Sequence, residues 1–228
     1  MNTTSDLKID PAIQTRHPGL LLGAGILRDL RTTPDSRLLQ EEIQTTTQWL
    51  RDTYTLEKLK DEPNSRAYRD FYWRLGIDPT KQRPAAEALA RRLLRGESLP
   101  RINPVVDAYN CASLRTLIAI GAYDLARIEG GLVLRLSREG ERFEPIGGKS
   151  ESLKAGQIVL ADDVKVVHLY PYRDSKLSAV SETSVNVLFL SAGVPKIFRD
   201  RILEAVRMAC EGVMRVCGGR LEGLRVVE

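Results

Sequence analysis

Polar side chains concentrate in one otherwise apolar stretch of the chain, residues 102–124. Its carboxylates, amide, hydroxyls and guanidinium belong to Asp107, Asn110, Ser113, Arg115, Thr116, Tyr123 and Asp124. An unpaired buried polar group costs about 1–3 kcal/mol, so each of these side chains needs a protein partner or a ligand. Two interpretations stay open: some of them converge in a pocket, or the stretch is a helix with a solvated face and internal caps.

Two arginines are candidates for binding an anion. Arg115 lies in this stretch, and Arg173 lies in a polar run, residues 170–174, which also contains Asp174. A guanidinium binds a carboxylate or phosphate through two parallel hydrogen bonds. The alternative is that each arginine pairs internally with Asp107, Asp124 or Asp174.

Histidine and cysteine chemistry has little support. His168 stands in an apolar β-type run, a setting typical of a structural histidine, and the pattern leaves open which face of the sheet it occupies. No GxSxG motif is present. His17 and His168 are far apart, and no CxxC occurs among Cys111, Cys210 and Cys217. We therefore expect no metal and no cofactor, and cysteines that are core residues of a reducing compartment.

A helix must position most of the groups in residues 102–124. Asn103 is typical of an N-cap and Pro104 of the first helical position, where the missing N–H costs nothing. Its apolar face is expected to contain Val105, Val106, Tyr109, Leu117 and Ile118. Gly121 is expected to break the helix, with Tyr123 and Asp124 just beyond it.

The rest of the first half is expected to be mainly helical. The patterns predict a strand over 7–13, a glycine-containing strand over 20–30, and helices over 33–60, 65–75 and 83–96. The aromatic residues Tyr68, Phe71, Tyr72 and Trp73 of the second helix favour core packing, with an RNA-stacking or protein-docking face as alternatives.

The second half changes to a period of two. Strands are predicted over 132–136, 142–146, 158–161, 164–170 and 185–190, followed by a helix over 194–218 and an edge strand in the tail. Helices followed by strands that cannot all be parallel predict an α+β fold: a helical N-terminal half, a mostly antiparallel β half and a C-terminal helix.

Composition sets outer limits on function. The chain has 228 residues, 43% of them hydrophobic, and a net charge of +4. That content supports a sizeable core, and the mild basicity is compatible with a polyanionic partner without establishing one. Because no signal pattern and no apolar run of about 20 residues occurs, we expect a cytoplasmic protein without a membrane partner.

The order of several motifs resembles a known family. They are RLGIDPTKQRPAAEALARRLL, LPRINPVVDAYNCASLRT, IGAYD, REGERFEPIGG, YRDS and ETSVNVLF. Together, over residues 71–218, they resemble the B3/B4 domain of the phenylalanyl-tRNA synthetase β-subunit and, more closely, free-standing B3/B4-like proteins. The resemblance implies a domain over 66–228 preceded by an N-terminal extension over 1–65.

The resemblance also implies an activity. In the synthetase this domain is an editing site, which hydrolyses the ester of a wrong amino acid joined to tRNA. The implied partner is thus tRNA or aminoacyl-tRNA, and the reaction requires no metal or covalent intermediate. Carried over to this chain, the catalytic candidates are Asn110, Arg115, Tyr123, Asp124, Arg173 and Asp174. The substrate-binding candidates are Asp107, Ser113, Thr116, Gly121 and His168.

One departure from the family pattern bears on the chemistry. Gly121 stands where the synthetase has a histidine associated with editing. The hypothesis is that Arg173, Asp174 or His168 has taken over the site. The alternative functions are a non-catalytic binding module for an amino acid, nucleoside or RNA, and an interaction subunit that docks through residues 68–73.

Overall fold

Two β-sheets and a layer of helices form the molecule, and the computed structural model describes residues 7–31 and 36–228. The five-stranded sheet has the order β1 (Leu7–Ile9), β4 (Leu132–Leu136), β7 (Ile158–Ala161), β8 (Val166–Leu169) and β9 (Arg173–Asp174). The four-stranded sheet has the order β11 (Arg220–Val227), β2 (Leu21–Arg28), β10 (Val187–Gly193) and β3 (Ile120–Asp124). A separate hairpin pairs β5 (Arg142–Phe143) with β6 (Glu151–Ser152).

The described ranges contain six α-helices: α1 (Pro11–Arg16), α2 (Ser36–Thr53), α3 (Pro63–Arg74), α4 (Ala85–Leu94), α5 (Pro104–Thr116) and α6 (Arg199–Cys217). Except for the parallel pair β1–β4, the strands within each sheet pair antiparallel. The prediction of an α+β fold with mostly antiparallel strands and a C-terminal helix is therefore confirmed.

Glycines in β2 explain how the helical layer packs on the four-stranded sheet. A Cβ on Gly23 would lie 2.8 Å from the Ile202 carbonyl oxygen, and one on Gly25 would lie 2.6 Å from Cys210 Sγ. Both contacts are too short for a real side chain, so α6 needs these two glycines for its close approach. The predicted glycine-containing strand is confirmed, and its glycines serve packing against α6.

Successive side chains of β2 and β10 point to opposite faces of the four-stranded sheet, so each face packs against a different layer. Ser191 Oγ donates to the Ile202 carbonyl at 2.8 Å on the α6 side of the sheet. Leu22, Leu190 and Ala192 lie on the opposite face, toward the five-stranded sheet. The main core fills the space on both sides of the four-stranded sheet. Residues 7–31 contribute one strand to each of the two larger sheets, β1 and β2.

The predictions for residues 7–13 and for Gly121 are wrong. The strand predicted over 7–13 ends at Ile9, because the Asp10 side chain caps α1 by accepting from the Ala12 N–H at 2.8 Å. Gly121 does not break α5, which ends at Thr116 with Leu117 in the left-handed conformation (φ 54°). Gly121 lies inside strand β3, so Leu117 and Ile118 are not part of the apolar face of the helix.

The predicted start of α5 is confirmed: Asn103 Oδ1 accepts from the Val106 N–H at 3.0 Å, with Pro104 at the first helical position. The helix predicted over 33–60 is described from Ser36, so its start lies outside the described residues, and it ends at Thr53, earlier than predicted. In the described part of the chain, no helix is long and apolar enough to cross a membrane.

Candidate functional site

A small cleft lies where the edges of the two sheets meet. β3 is an edge strand of the four-stranded sheet, and β9 is an edge strand of the five-stranded sheet. Three polar side chains converge in the cleft: Tyr123 from β3, Asp174 from β9 and His168 from β8, the strand beside β9. They are separated by up to 51 residues in sequence and joined by hydrogen bonds.

Strand geometry explains the convergence. His168 and Asp174 are direct cross-strand partners in the β8–β9 pair, so their side chains lie on the same face. Gly121 and Tyr123 are two residues apart in β3, so they lie on the same face of that strand. This face is directed toward His168 and Asp174. The open question about His168 is thus answered, because its ring faces the cleft between the sheets.

Asp174 is the centre of the hydrogen-bond network. Its Oδ1 accepts from the Tyr123 hydroxyl at 2.7 Å and lies 2.8 Å from His168 Nδ1. A carboxylate accepts hydrogen bonds and an imidazole N–H donates them, so we assign Nδ1 as the donor in this contact. The other ring nitrogen, Nε2, has no hydrogen-bond partner among the described residues.

The network is largely sheltered from solvent. His168 is 8% exposed, and the Asp174 side chain is 29% exposed, so the carboxylate is the more accessible group. Burial raises the pKa of the Tyr123 hydroxyl well above its ordinary value, and the neighbouring Asp174 carboxylate raises that pKa further. Tyr123 therefore stays protonated and remains a donor to Asp174 at physiological pH.

Gly121 makes this arrangement possible. A Cβ at this position would lie 2.7 Å from the Tyr123 hydroxyl oxygen and 3.2 Å from Asp174 Oδ1. Any larger residue at position 121, including the family's histidine, would push the tyrosine away from the carboxylate. The hydrogen-bonded triplet of Tyr123, His168 and Asp174 therefore requires a glycine at position 121.

The floor of the cleft is held by hydrogen bonds. Ala119 and Ala192 line it, and the Ala192 N–H donates to the Ala119 carbonyl at 2.9 Å. The buried Tyr68 hydroxyl donates to the Ala192 carbonyl and accepts from the Ala119 N–H. One side wall is Tyr170, whose hydroxyl donates to the Gly193 carbonyl at 2.7 Å. The apolar wall is completed by Leu22, Leu160 and Leu190.

The polar residues of α5 lie outside the cleft. Asp107 accepts from the Ile102 N–H at 2.9 Å and from Arg101 Nε at 2.7 Å. Ser113 donates to the Ile118 carbonyl at 2.6 Å, and Thr116 donates to the Ala112 carbonyl at 2.8 Å. These three side chains therefore close the two ends of the helix.

Asn110 is 8% exposed and does not line the cleft, and its side chain makes no hydrogen bond with the described residues. Asp124 follows Tyr123 in β3 and so points to the opposite side of the strand. Its carboxylate accepts from the Ser184 hydroxyl at 2.6 Å and from the Ala126 N–H at 3.0 Å. The structure does not bring either residue to the triplet.

Neither candidate arginine reaches the cleft. Arg115 Nε donates to the Thr46 hydroxyl at 3.1 Å, and its guanidinium lies 5.4 Å from the centre of the Trp49 ring. Arg173 follows the register of β9 to the face opposite Asp174, where it pairs with Glu151 at 2.7 Å. Both arginines thus pair internally, although with partners other than the predicted acids.

Several cleft residues were missed by the sequence patterns. Alanines 119 and 192 carry no chemical signal, and Tyr68 looks like any core aromatic residue of an amphipathic helix. Tyr170 belongs to the polar run after β8, and this position was the one sequence signal that could have placed it near the cleft. Tyr68, Phe71 and Tyr72 are buried, as core packing predicts, whereas Trp73 is 57% exposed. No cluster of three metal-ligating side chains occurs in the described ranges.

Comparison with known proteins gives a family match, two similar sequences and one similar solved structure. The model of the B3/4 domain matches residues 67–212. The phenylalanine–tRNA ligase β-subunit of Nocardia farcinica is 31% identical over 169 residues, which cover 74% of this chain and 20% of that protein. The same subunit of Nitrosospira multiformis is 37% identical over 108 residues, covering 46% of this chain and 14% of that protein.

The chain thus spans a fifth or less of the length of these two curated relatives. Among solved structures, an N-terminal fragment of the phenylalanyl-tRNA synthetase β-subunit from Pyrococcus horikoshii aligns with a TM-score of 0.49 and 14% identity. That alignment covers 97% of this chain and 50% of the fragment.

Proposed function

The chain belongs to the B3/4 domain family, and from that premise we propose that it binds aminoacyl-tRNA and hydrolyses the ester of mischarged species in trans. The observation that carries the proposal is the hydrogen-bonded triplet of Tyr123, His168 and Asp174 in the cleft. It supplies a base for water in a family whose implied chemistry is ester hydrolysis.

His168 is the proposed general base. Asp174 holds Nδ1, so Nε2 is the atom able to take a proton from a water molecule. The water oxygen then forms a bond to the ester carbonyl carbon. As the tetrahedral intermediate collapses, the carbon–oxygen bond to the ribose breaks and the ribose oxygen receives the proton from Nε2. The products are the free amino acid and tRNA with its terminal ribose hydroxyls restored.

Asp174 and Tyr123 are the proposed positioning residues. Asp174 fixes the tautomer and orientation of the imidazole and stabilises the imidazolium that forms during the reaction. Its second oxygen, Oδ2, makes no hydrogen bond with the described residues, so it is available to the ammonium group of the amino acid. Tyr123 in turn holds the carboxylate in place.

This assignment moves the base to a different strand. The family's histidine would occupy position 121 in β3, whereas His168 approaches the same space from β8 in the opposite sheet. Gly121 supports the proposal because it leaves the space that the relocated network fills.

The test is release of amino acid from a panel of mischarged tRNAs, measured for the natural protein and for His168→Ala, Arg115→Ala and Arg173→Ala. We expect one class of ester to be hydrolysed and His168→Ala to lower the rate by about 10²–10⁴-fold. Unchanged turnover in His168→Ala, or loss of turnover in the arginine variants alone, would contradict the assignment of the base.

A second candidate function is a binding module without catalysis. Gly121 favours it, because the histidine associated with editing in the family is missing from β3. The same panel discriminates between the two functions. Binding of aminoacyl-tRNA without release of amino acid would select the binding module, because the cleft would then recognise its ligand but leave the ester intact.

A further inference from the structure

The cleft is small for an amino-acid site. Its cavity volume is about 50 Å³. An apolar cavity of about 150 Å³ accommodates one benzene ring, and about 10–15 Å³ holds one water molecule. The cleft therefore has room for a few non-hydrogen atoms and none for an aromatic ring.

The floor cannot recede to make more room. Moving Ala119 or Ala192 outward would break the hydrogen bonds that their backbones make with each other and with the Tyr68 hydroxyl. That hydroxyl belongs to a side chain which is 1% exposed, so water cannot replace the lost partners. Leaving such buried groups unpaired costs about 1–3 kcal/mol each.

The side walls are fixed as well. Tyr170 is held through its hydroxyl by the carbonyls of Gly193 and Leu21. His168 is held by Asp174 on one side, and its ring packs edge-on against Tyr123 and Tyr170. Tyr170 therefore cannot change rotamer without losing the hydrogen bonds of its hydroxyl.

The chemistry of the walls divides the cleft in two. Ala119, Ala192 and Leu190 form an apolar side, and Asp174 with Tyr123 forms a polar side. An amino-acid ester carries an ammonium group and a side chain on the same carbon, and this division suits both. The ammonium group meets the carboxylate while the side chain enters the apolar part.

We infer that the cleft selects esters of amino acids with small side chains, up to about the size of valine or threonine, and excludes phenylalanine and tyrosine. The inference rests on the proposed function for the identity of the ligand as an aminoacyl ester. The size limit itself rests on the cavity volume and on the hydrogen bonds that fix its floor and walls.

The experiment measures binding of hydrolysis-resistant 3′-amide analogues of aminoacyl-adenosine carrying alanyl, valyl, phenylalanyl or tyrosyl groups. We expect the alanyl analogue to bind the natural protein at least 10-fold more tightly than the phenylalanyl and tyrosyl analogues. A misplaced methylene group in an apolar pocket already costs about 10-fold or more. Equal or tighter binding of the aromatic analogues, or binding of no analogue, would overturn the inference.

Ala192→Val sharpens the test by adding two methyl groups to the floor, at a strand position where valine is favoured. We expect it to weaken the valyl analogue at least 10-fold relative to the alanyl one. Ala126→Val makes the same change at an exposed position outside the cleft and serves as the matched control. The wild-type series decides the inference by itself if Ala192→Val does not fold.

Hydrolysis assays with the corresponding aminoacyl-tRNAs separate this inference from the proposed function. A preference for small analogues without hydrolysis of any ester would keep the size limit and overturn catalysis. Hydrolysis of phenylalanyl or tyrosyl esters as fast as alanyl esters would keep catalysis and overturn the size limit.

Discussion

Helix α5 and the cleft between the sheets treat polar side chains in opposite ways. The hydroxyls and the carboxylate of Ser113, Thr116 and Asp107 are all used to close the ends of the helix. In the cleft, His168 and Asp174 each use one atom in the hydrogen-bond network, and Nε2 and Oδ2 have no hydrogen-bond partner among the described residues. A dense run of polar residues therefore does not by itself locate a site. The cleft differs from α5 because polar atoms that line it have no hydrogen-bond partner among the described residues.

Replacing an aspartate by asparagine in the cleft and in α5 is expected to give the largest difference in turnover between the two regions. We expect Asp174→Asn to lower turnover of the ester substrate by about 10²–10⁴-fold, because the amide no longer fixes the imidazole tautomer. The measurement is single-turnover release of amino acid, with urea unfolding in parallel. Full activity in Asp174→Asn would contradict a functional role for the cleft carboxylate that the α5 carboxylate lacks.

Gly121 links the two regions along the chain, since it follows α5 and opens the cleft. Gly121→Ala is expected to destabilise the fold by about 1–3 kcal/mol, because its Cβ would overlap the Tyr123 hydroxyl. Tyr123→Phe removes that hydroxyl, so the double variant is expected to recover part of the loss. Urea unfolding of the four proteins in this cycle measures the coupling, and strictly additive effects would contradict the contact.

Asp107→Asn tests the helix side of the comparison. The carboxylate is buried and holds a backbone N–H and Arg101, so we expect a loss of stability of about 1–2 kcal/mol. Turnover per folded molecule is expected to stay unchanged, in contrast to Asp174→Asn. A loss of turnover without a loss of stability would place Asp107 in the site after all.

The smallest effect is expected away from both regions. The hydrogen bond from Arg135 holds the pKa of Glu141 below its ordinary value. A carboxyl with a lowered folded-state pKa stabilises the fold above its unfolded-state value, and this contribution is lost as the pH falls through the folded-state pKa. We expect Glu141→Gln to cost about 1 kcal/mol at pH 7 and less at pH 3, as measured by urea unfolding at both pH values, with turnover unaffected. An equal loss at both pH values would contradict the ion pair.

Much of the fold could be predicted because its signals are local. The cap formed by Asn103 and Pro104, the alternation in 132–136 and the apolar run of β10 each act over a few residues. Gly121 was misread for the same reason. A glycine after a helix is a common stop signal, whereas here Ser113 and Thr116 had already closed the helix end.

The site was only partly predictable. His168, Asp174, Tyr123 and Gly121 were among the candidates, and the tertiary structure separated them from Arg115, Arg173 and the helix residues. The side of a strand that faces the core follows from register, and register depends on pairing between distant segments. No local pattern shows that Asp174 pairs with His168 while Arg173 turns to the opposite face.

The sequence by itself determined the secondary structure of most of the chain, its α+β class and its family, because caps, periodicity and motif order are written in neighbouring residues. Only the tertiary structure decided which polar groups meet. Tyr123 and Asp174 are 51 residues apart. Their contact requires two sheets to pack together and a glycine at position 121 to leave room for the hydroxyl. The size of the cleft was likewise decided by packing, since the alanines that limit it show no signal until their neighbours surround them.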